Sequence, residues 1–330
     1  MTDVTQAPLQ PLDWLKRQSR WSPYEVFFWL AALLPFYFFP TYLPLAGQIA
    51  IAALFAISVD LILGYAGIVT LGHAMFFGIG AYVAGLLSAK LGWGEPISGL
   101  LLAGAFAGLV GFVVSFLIVR VRHLALIMVT LGLGLLTYEL ANAMSWLTGG
   151  TDGLLGIDTW NIFGYFRFDL WGYTAYSYTL VVLFIGFLVS RRIVNSSFGL
   201  ALRGIRENTP RMPAIGSNFR WHLQKIYTLS AAIAGIAGAL LTQTTDTVTL
   251  EVLSFQRSAD VVVMLILGGT GRLYGAILGA VIFLLMRDQL AGVNPQYWYF
   301  WIGLLLMVVV LFMPKGILGR LSDLMRRLGR

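Results

Sequence analysis

The side chains able to do chemistry are few and scattered. Three histidines, His73, His123 and His222, stand far apart and make no H-x-x-x-H pair, so no metal site is expected. Cysteine is absent, which removes thiol nucleophiles, thiolate ligands and disulfides together. None of the four lysines, Lys16, Lys90, Lys225 and Lys315, ends a G-x-x-x-x-G-K sequence, so the chain carries no P-loop for ATP. No nucleophile stands beside a base, and neither a catalytic residue nor a cofactor is expected. What remains are acids in apolar surroundings: Asp60 and Glu139 inside apolar runs, and Asp260 near the start of one. A carboxylate at the centre of a membrane helix costs about 2.5–3.5 kcal/mol on insertion scales, so each must face protein, water or a partner. A proton-coupled secondary carrier would use Asp60 or Glu139 as its relay. A carboxyl hydrogen-bonded to neighbouring backbone is the plainer role.

The elements that must position these groups are set by composition. Of 330 residues, 58% are hydrophobic and 11% charged, against about 45–50% and about 25% in soluble domains. That deficit of charge makes hydrocarbon the outer solvent and predicts an all-α, polytopic transmembrane bundle. Nucleic acid is not expected despite the net charge of +7, because the basic residues sit in loops between apolar runs rather than on one face. The clearest uncharged intervals are 26–59, 61–88, 96–119 and 170–190. Further candidates, less clean, run over 124–146, 226–243, 253–267, 273–286 and 297–313. Pro35, Pro40 and Pro44 divide the first interval, with a split placed near Leu45. About ten segments result, or eight if the short pieces flanking Gly64–Gly67 and Arg272 are re-entrant.

Ten segments place the loops on alternating sides. Lys90, Arg167, Arg257 and Arg287 then lie outside, and the other eighteen of 22 basic residues lie inside. The positive-inside rule makes both termini cytoplasmic. The resulting organisation is a cytoplasmic tail over 1–24, a membrane domain over 25–316 with an inner loop at 191–225, and a basic cytoplasmic tail over 317–330. Gly104 with Gly108, Gly275 with Gly279, and Ala234 with Gly238 are small-xxx-small pairs suited to close helix contacts.

The inner loop reads NSSFGLALRGIRENTPRMPAIGSN over 195–218. A short helix is expected there, with Leu200, Ile205 and Met212 on an apolar side, Arg203, Arg206 and Arg211 on a basic side, and Gly199 and Gly216 at its ends. Such a loop could lie on anionic headgroups or dock a cytoplasmic partner. It resembles the coupling loop of branched-chain amino-acid ABC transporter permeases, on Gly199, Ala201, Leu202, Arg203, Ile205, Arg206, Glu207, Asn208 and Gly216. Three stretches in the same order are similar to the LivM-like branch of that family: GYAGIVTLGHAMFFGIGAY over 64–82, LTGGTDGL over 147–154 and LGGTGRLYGAILGA over 267–280.

The resemblance implies a permease subunit of an ABC importer in a bacterial inner membrane. It implies three kinds of association besides the lipid bilayer: a second homologous (LivH-like) permease, two cytoplasmic ATP-binding subunits, and a periplasmic or lipid-anchored solute-binding protein. The cargo would be a branched-chain or other hydrophobic amino acid, or a related small carboxylate or amide. Gly64, Gly67 and Gly72 interrupt a helix at membrane depth, where freed backbone groups are tolerable only beside protein or a water-filled cavity. Gly64, Tyr65, Gly67, Gly72 and His73, with Gly268, Gly269 and Gly271, are therefore candidates for the translocation path. The 147–154 stretch is expected to form an external turn. Relatives commonly carry Gln at the place of Ile68 and an acid near that of Leu135, so this path is expected to be more apolar. Pro213 is expected to end the coupling helix at Met212.

Overall fold

The computed structural model describes residues 23–121, 124–169, 171–214, 216–293, 297–312 and 316–320. The expected cytoplasmic tails fall almost wholly outside the described residues, as do Arg122, His123 and Lys315. The described chain is helical, with no β-structure beyond two isolated bridges, Leu154 with Val248 and Ile162 with Phe166.

Seven helices, with contiguous turns included, are long and apolar enough to cross a membrane. They are α3 (Leu43–Asp60), α4 (Ala74–Leu91), α5 (Pro96–Ile118), α6 (Leu124–Ala143), α7 (Tyr173–Val194), α9 (Phe219–Thr245) and α11 (Leu273–Val293). Shorter apolar pieces complete the traverses: α1 (Pro23–Ala31) with α2 (Leu34–Phe38), α10 (Phe255–Gly268) and α12 (Trp298–Phe312). The amphipathic α8 (Ser197–Glu207) lies between α7 and α9. With the three shorter pieces, the described residues hold about ten apolar segments, seven of them long enough to span. At 1.5 Å per residue, the fourteen residues of α10 cover about 21 Å of an about 30 Å hydrocarbon core, so the adjoining backbone must complete its crossing.

The first split differs from expectation by two residues: the chain enters α3 at Leu43, with Pro44 at the first turn, not at Leu45. A fixed φ and a missing N–H fit a helix start as well as a helix stop. The sixth long helix also begins earlier than hydropathy suggests, at Phe219, because Asn218 caps it by accepting from the Trp221 amide.

The long α9 is the axis of the bundle, packed on α3, α4 and α5, while α3 also meets α7 and α11 and α10 pairs with α11. The small residues make these approaches possible. A Cβ on Gly80 would stand 2.0 Å from the Gly235 carbonyl oxygen, and one on Gly238 would stand 1.8 Å from that of Phe77. Gly104 and Gly108 face Ile236 and Ala232 of α9, and Gly275 and Gly279 face Gly268 and Met264 of α10. All three small-residue pairs named from the sequence thus lie in or beside helix contacts. Lipid supplies no hydrophobic drive between helices, so close van der Waals approach must hold them. Large apolar side chains instead line the outside, among them Leu101, Phe106, Leu109 and Val113 of α5. Only hydrocarbon or another apolar subunit suits such a face.

Candidate functional site

The inner end of the bundle gathers three segments that are remote in sequence. α3 does not end cleanly at Asp60: it loosens into one turn of π-helix, Leu61–Tyr65, and then gives way to non-helical backbone. Gly67 sits there at a φ of 74°, a left-handed conformation that favours glycine. The Ile68 amide closes the break by donating to the Ile62 carbonyl at 2.9 Å. The following stretch is buried in alternation, with Val69 exposed, and Leu71 N donates to Thr130 Oγ1 of α6 at 3.4 Å while Gly72 presses on the Thr130 carbonyl. Protein thus covers Ile68, Thr70 and Gly72, while the exposed Gly67 and Val69 need water or a partner subunit beside them at membrane depth.

The second segment is the turn between α10 and α11, where Gly269 and Gly271 have φ of 105° and 77°. Asp60 reaches it: its Oδ1 accepts from the Gly271 amide at 2.7 Å. Its Oδ2 is buried without a partner. Gly64 lies at the crossing, and a Cβ there would fall 2.1 Å from Asp60 Oδ1 and 2.4 Å from Gly271 N.

The third segment is α8. Ser196 caps it, accepting from Gly199 N at 3.3 Å, and Gly199 permits the tight turn out of α7 because a Cβ would meet the Val194 carbonyl at 2.2 Å. Leu202 and Ile205 are buried beneath α8. Its two arginines reach back to the bundle, although Arg206 is exposed as an expected basic side would be and Arg203 is half-buried. Arg206 Nη1 donates to the Gly64 carbonyl, and the Arg203 guanidinium lies 5.5 Å from the centre of the Tyr65 ring. A Cβ on Gly271 would stand 3.1 Å from Arg206 Nη1, and one on Gly67 would stand 3.0 Å from Arg206 Cγ. Glu207, Asn208 and Arg211 are exposed at the far end, as is Arg206 itself.

α8 stops at Glu207, five residues before the expected end at Met212, with Asn208 following in extended backbone. Pro213 does not terminate it, since that residue lies in a separate turn of helix, Arg211–Ala214. Met212 folds back so that its sulfur packs against Gly204, which anchors this second turn beneath the first. Gly199 lies within α8, while Gly216 lies beyond the second turn with a φ of 77°.

Of the residues named from the sequence, the structure brings Gly64, Tyr65, Gly67 and Gly271 together with Arg203 and Arg206. Gly268 and Gly269 lie just behind them, packed on Gly275 and on Gly316. His73 is elsewhere, deep in the bundle among Phe55, Phe76 and Tyr227. Its Nε2 lies 3.0 Å from Ser230 Oγ, which donates its one proton to the Ser58 carbonyl. A hydroxyl has one hydrogen, so Nε2 must be the donor to Ser230, which fixes the tautomer. Asp60 and Glu139 are not brought together: Asp60 is buried under Gly271, and Glu139 is exposed on α6. The partnership of Arg206 with Gly64 was missed by sequence reasoning. Its signal was the absence of any acid in the apolar run that could answer the arginine, save Asp60.

At the end of the bundle opposite α8, the expected outer end, the 147–154 stretch forms a turn, with Gly149, Gly150 and Gly153 at positive φ. Leu154 and Val248 exchange backbone hydrogen bonds of 2.7 and 3.2 Å, which ties this turn to the loop after α9.

Residues 41–310 match the model of the branched-chain amino acid transport system / permease component family. The chain belongs to this family. The high-affinity branched-chain amino acid transport system permease protein LivM of Escherichia coli is 27% identical over 314 residues, covering 88% of this chain and 72% of the relative. The probable branched-chain amino acid transport permease protein LivM of Methanocaldococcus jannaschii is 27% identical, covering 80% and 89%. The LivH permease of Escherichia coli is 25% identical, covering 81% and 91%. No solved structure shows a significant match. The protein is a multi-pass membrane permease component.

Proposed function

We propose that this chain is the LivM-like permease subunit of an ABC importer in a bacterial inner membrane, moving a branched-chain or other hydrophobic amino acid inward. The family membership and the likeness to both LivM and LivH support this reading. A LivH-like permease completes the membrane unit, two cytoplasmic ATP-binding subunits hydrolyse ATP, and an external solute-binding protein delivers the cargo. The observation that carries the coupling step is the grip of α8 on the broken helix. A push on Glu207 and Asn208 from an ATP-binding subunit moves Arg206, and Arg206 bonds to Gly64 and lies beside the Gly271 turn. The inner end of the translocation path then opens where α3 and the α10–α11 turn meet. Such a step is an alternation between two packings, driven by the difference in ATPase contact between them.

Arg206 and Glu207 thus take different parts: Glu207 faces the partner and Arg206 faces the permease. The test is ATP-driven uptake of radiolabelled L-leucine into proteoliposomes holding the assembled transporter. Glu207→Ala should weaken recruitment of the ATP-binding subunits, whereas Arg206→Ala should leave recruitment intact and uncouple ATP hydrolysis from uptake. Normal uptake by both variants would reject the coupling role, and a labelled cysteine at Asn208 accessible only from outside would reject the topology.

A further inference from the structure

The outer half of the bundle holds a cavity of about 220 Å³ between α3, α4, α9, α10 and α11. It exists because α10 is short: the chain after α9 reaches Phe255 through a 3-10 turn, Leu250–Leu253, instead of continuing the helix outward. Four charged residues border the space, Glu251 from that turn, Arg257 and Asp260 from the first turns of α10, and Arg287 from α11. Phe55, Phe77, Val261 and Met264 supply apolar wall. Asp260 is buried, with Oδ1 accepting from Gln256 Nε2 at 2.8 Å, and the Arg257 guanidinium lies 5.8 Å from the centre of the Phe77 ring.

We propose that this cavity binds a zwitterionic α-amino acid with an apolar side chain on its way through the membrane; the proposal rests on the importer reading above. Two cations and two anions around one space sum to no net charge, so an anion or a cation alone would unbalance it, whereas a zwitterion exchanges charge for charge. Arg257 and Arg287 match the carboxylate, since guanidinium can meet a carboxylate with two parallel N–H groups. Asp260 and Glu251 match the ammonium group. The aromatic and aliphatic wall receives the side chain, as in small-ligand sites that combine apolar lining with a few placed polar groups. None of these four charged residues lies in the glycine-rich stretches that carry the family likeness.

Binding of radiolabelled L-leucine to the purified, assembled transporter without its external binding protein tests the cavity directly. Isovalerate lacks the ammonium group and 3-methylbutylamine lacks the carboxylate. Each should displace leucine at least about tenfold less well than leucine itself, the effect of one lost charged contact. Asp260→Asn and Arg257→Gln should each weaken leucine binding by about tenfold or more, with Arg257→Lys recovering part. Equal displacement by isovalerate, unchanged binding in both variants, or no leucine bound by the wild type at millimolar concentration would overturn the proposal. If the charge variants do not assemble, Ala52→Phe, which fills the cavity without altering charge, decides: retained leucine binding overturns it and lost binding supports it. ATP-driven uptake separates the two readings. Uptake with unaltered binding in the variants removes the cavity site alone, and charge-selective binding with no ATP-driven uptake removes the importer alone.

Discussion

Asp60 and Asp260 are both buried acids, one at the break that ends α3 and one within the continuous α10, and they occupy opposite kinds of place. At the inner end, Asp60 is plugged: Gly271 donates to it, Gly64 leaves no room for even a methyl group, and Arg206 closes the carbonyl beside it. At the outer end, Asp260 borders open space with Glu251, Arg257 and Arg287 around it. Glycine marks the first place and charge marks the second. A chain that removes side chains lets backbones meet and transmit force, whereas one that retains charged side chains around a cavity keeps a place for a polar ligand.

Substitutions at the two ends should break in different ways. The largest effect is expected from Gly64→Ala, because the new Cβ would stand 2.1 Å from Asp60 Oδ1 and 2.4 Å from backbone. Overpacking costs typically about 1–3 kcal/mol, and more where backbone cannot yield. A melt of the purified chain in detergent should show lost folding or a strongly lowered midpoint. A wild-type melt would show that the inner junction is loose and would erase the contrast.

Next comes Asp60→Ala, which leaves the Gly271 amide and Arg206 without their acceptor and neighbour. An unsatisfied buried donor costs about 1–3 kcal/mol, so the melt should fall while leucine binding at the outer cavity stays near wild type. Asp260→Asn should do the reverse, altering leucine binding more than stability. If both variants changed stability and binding alike, the two ends would not be separate in function.

A smaller effect separates the two faces of α8. Arg206→Ala should lower the melting midpoint of the permease alone, by roughly 1 kcal/mol of hydrogen bonding. Glu207→Ala, at an exposed position, should not shift it measurably. Equal melts would place Arg206 outside the junction.

The smallest effect lies in the outer loops. Asp246 is held above its ordinary 3.8, first by partial burial and then by repulsion from Asp158, against the hydrogen bond it accepts from Thr159. A raised folded-state pKa means that protonation favours the fold, so this contribution is present below 3.8 and fades as pH climbs through the raised value. Solvent screens so exposed a group, which limits the effect to less than about 1 kcal/mol. Asp246→Asn should flatten that acid-side slope in a pH series of melts, and asparagine tolerates the left-handed backbone there, φ 52°. An unchanged slope would assign the stability of the outer turn to other groups.

The sequence by itself determined the solvent and the helical class. Apolar length and the placement of Lys and Arg are additive properties of the chain, which is why about ten segments could be counted before any contact was known. Small-residue pairs such as Gly104 with Gly108 were legible for the same reason, because a four-residue spacing already defines one helix face. The tertiary structure decided what those faces meet: that Arg206 grips Gly64 and not only a partner, that His73 serves the core, and that a short α10 leaves a charged cavity beneath an outer loop. Such contacts join residues up to some two hundred positions apart, as Asp60 and Gly271 show. No local period or spacing encodes them, and only the closing of the bundle brings them within bonding distance.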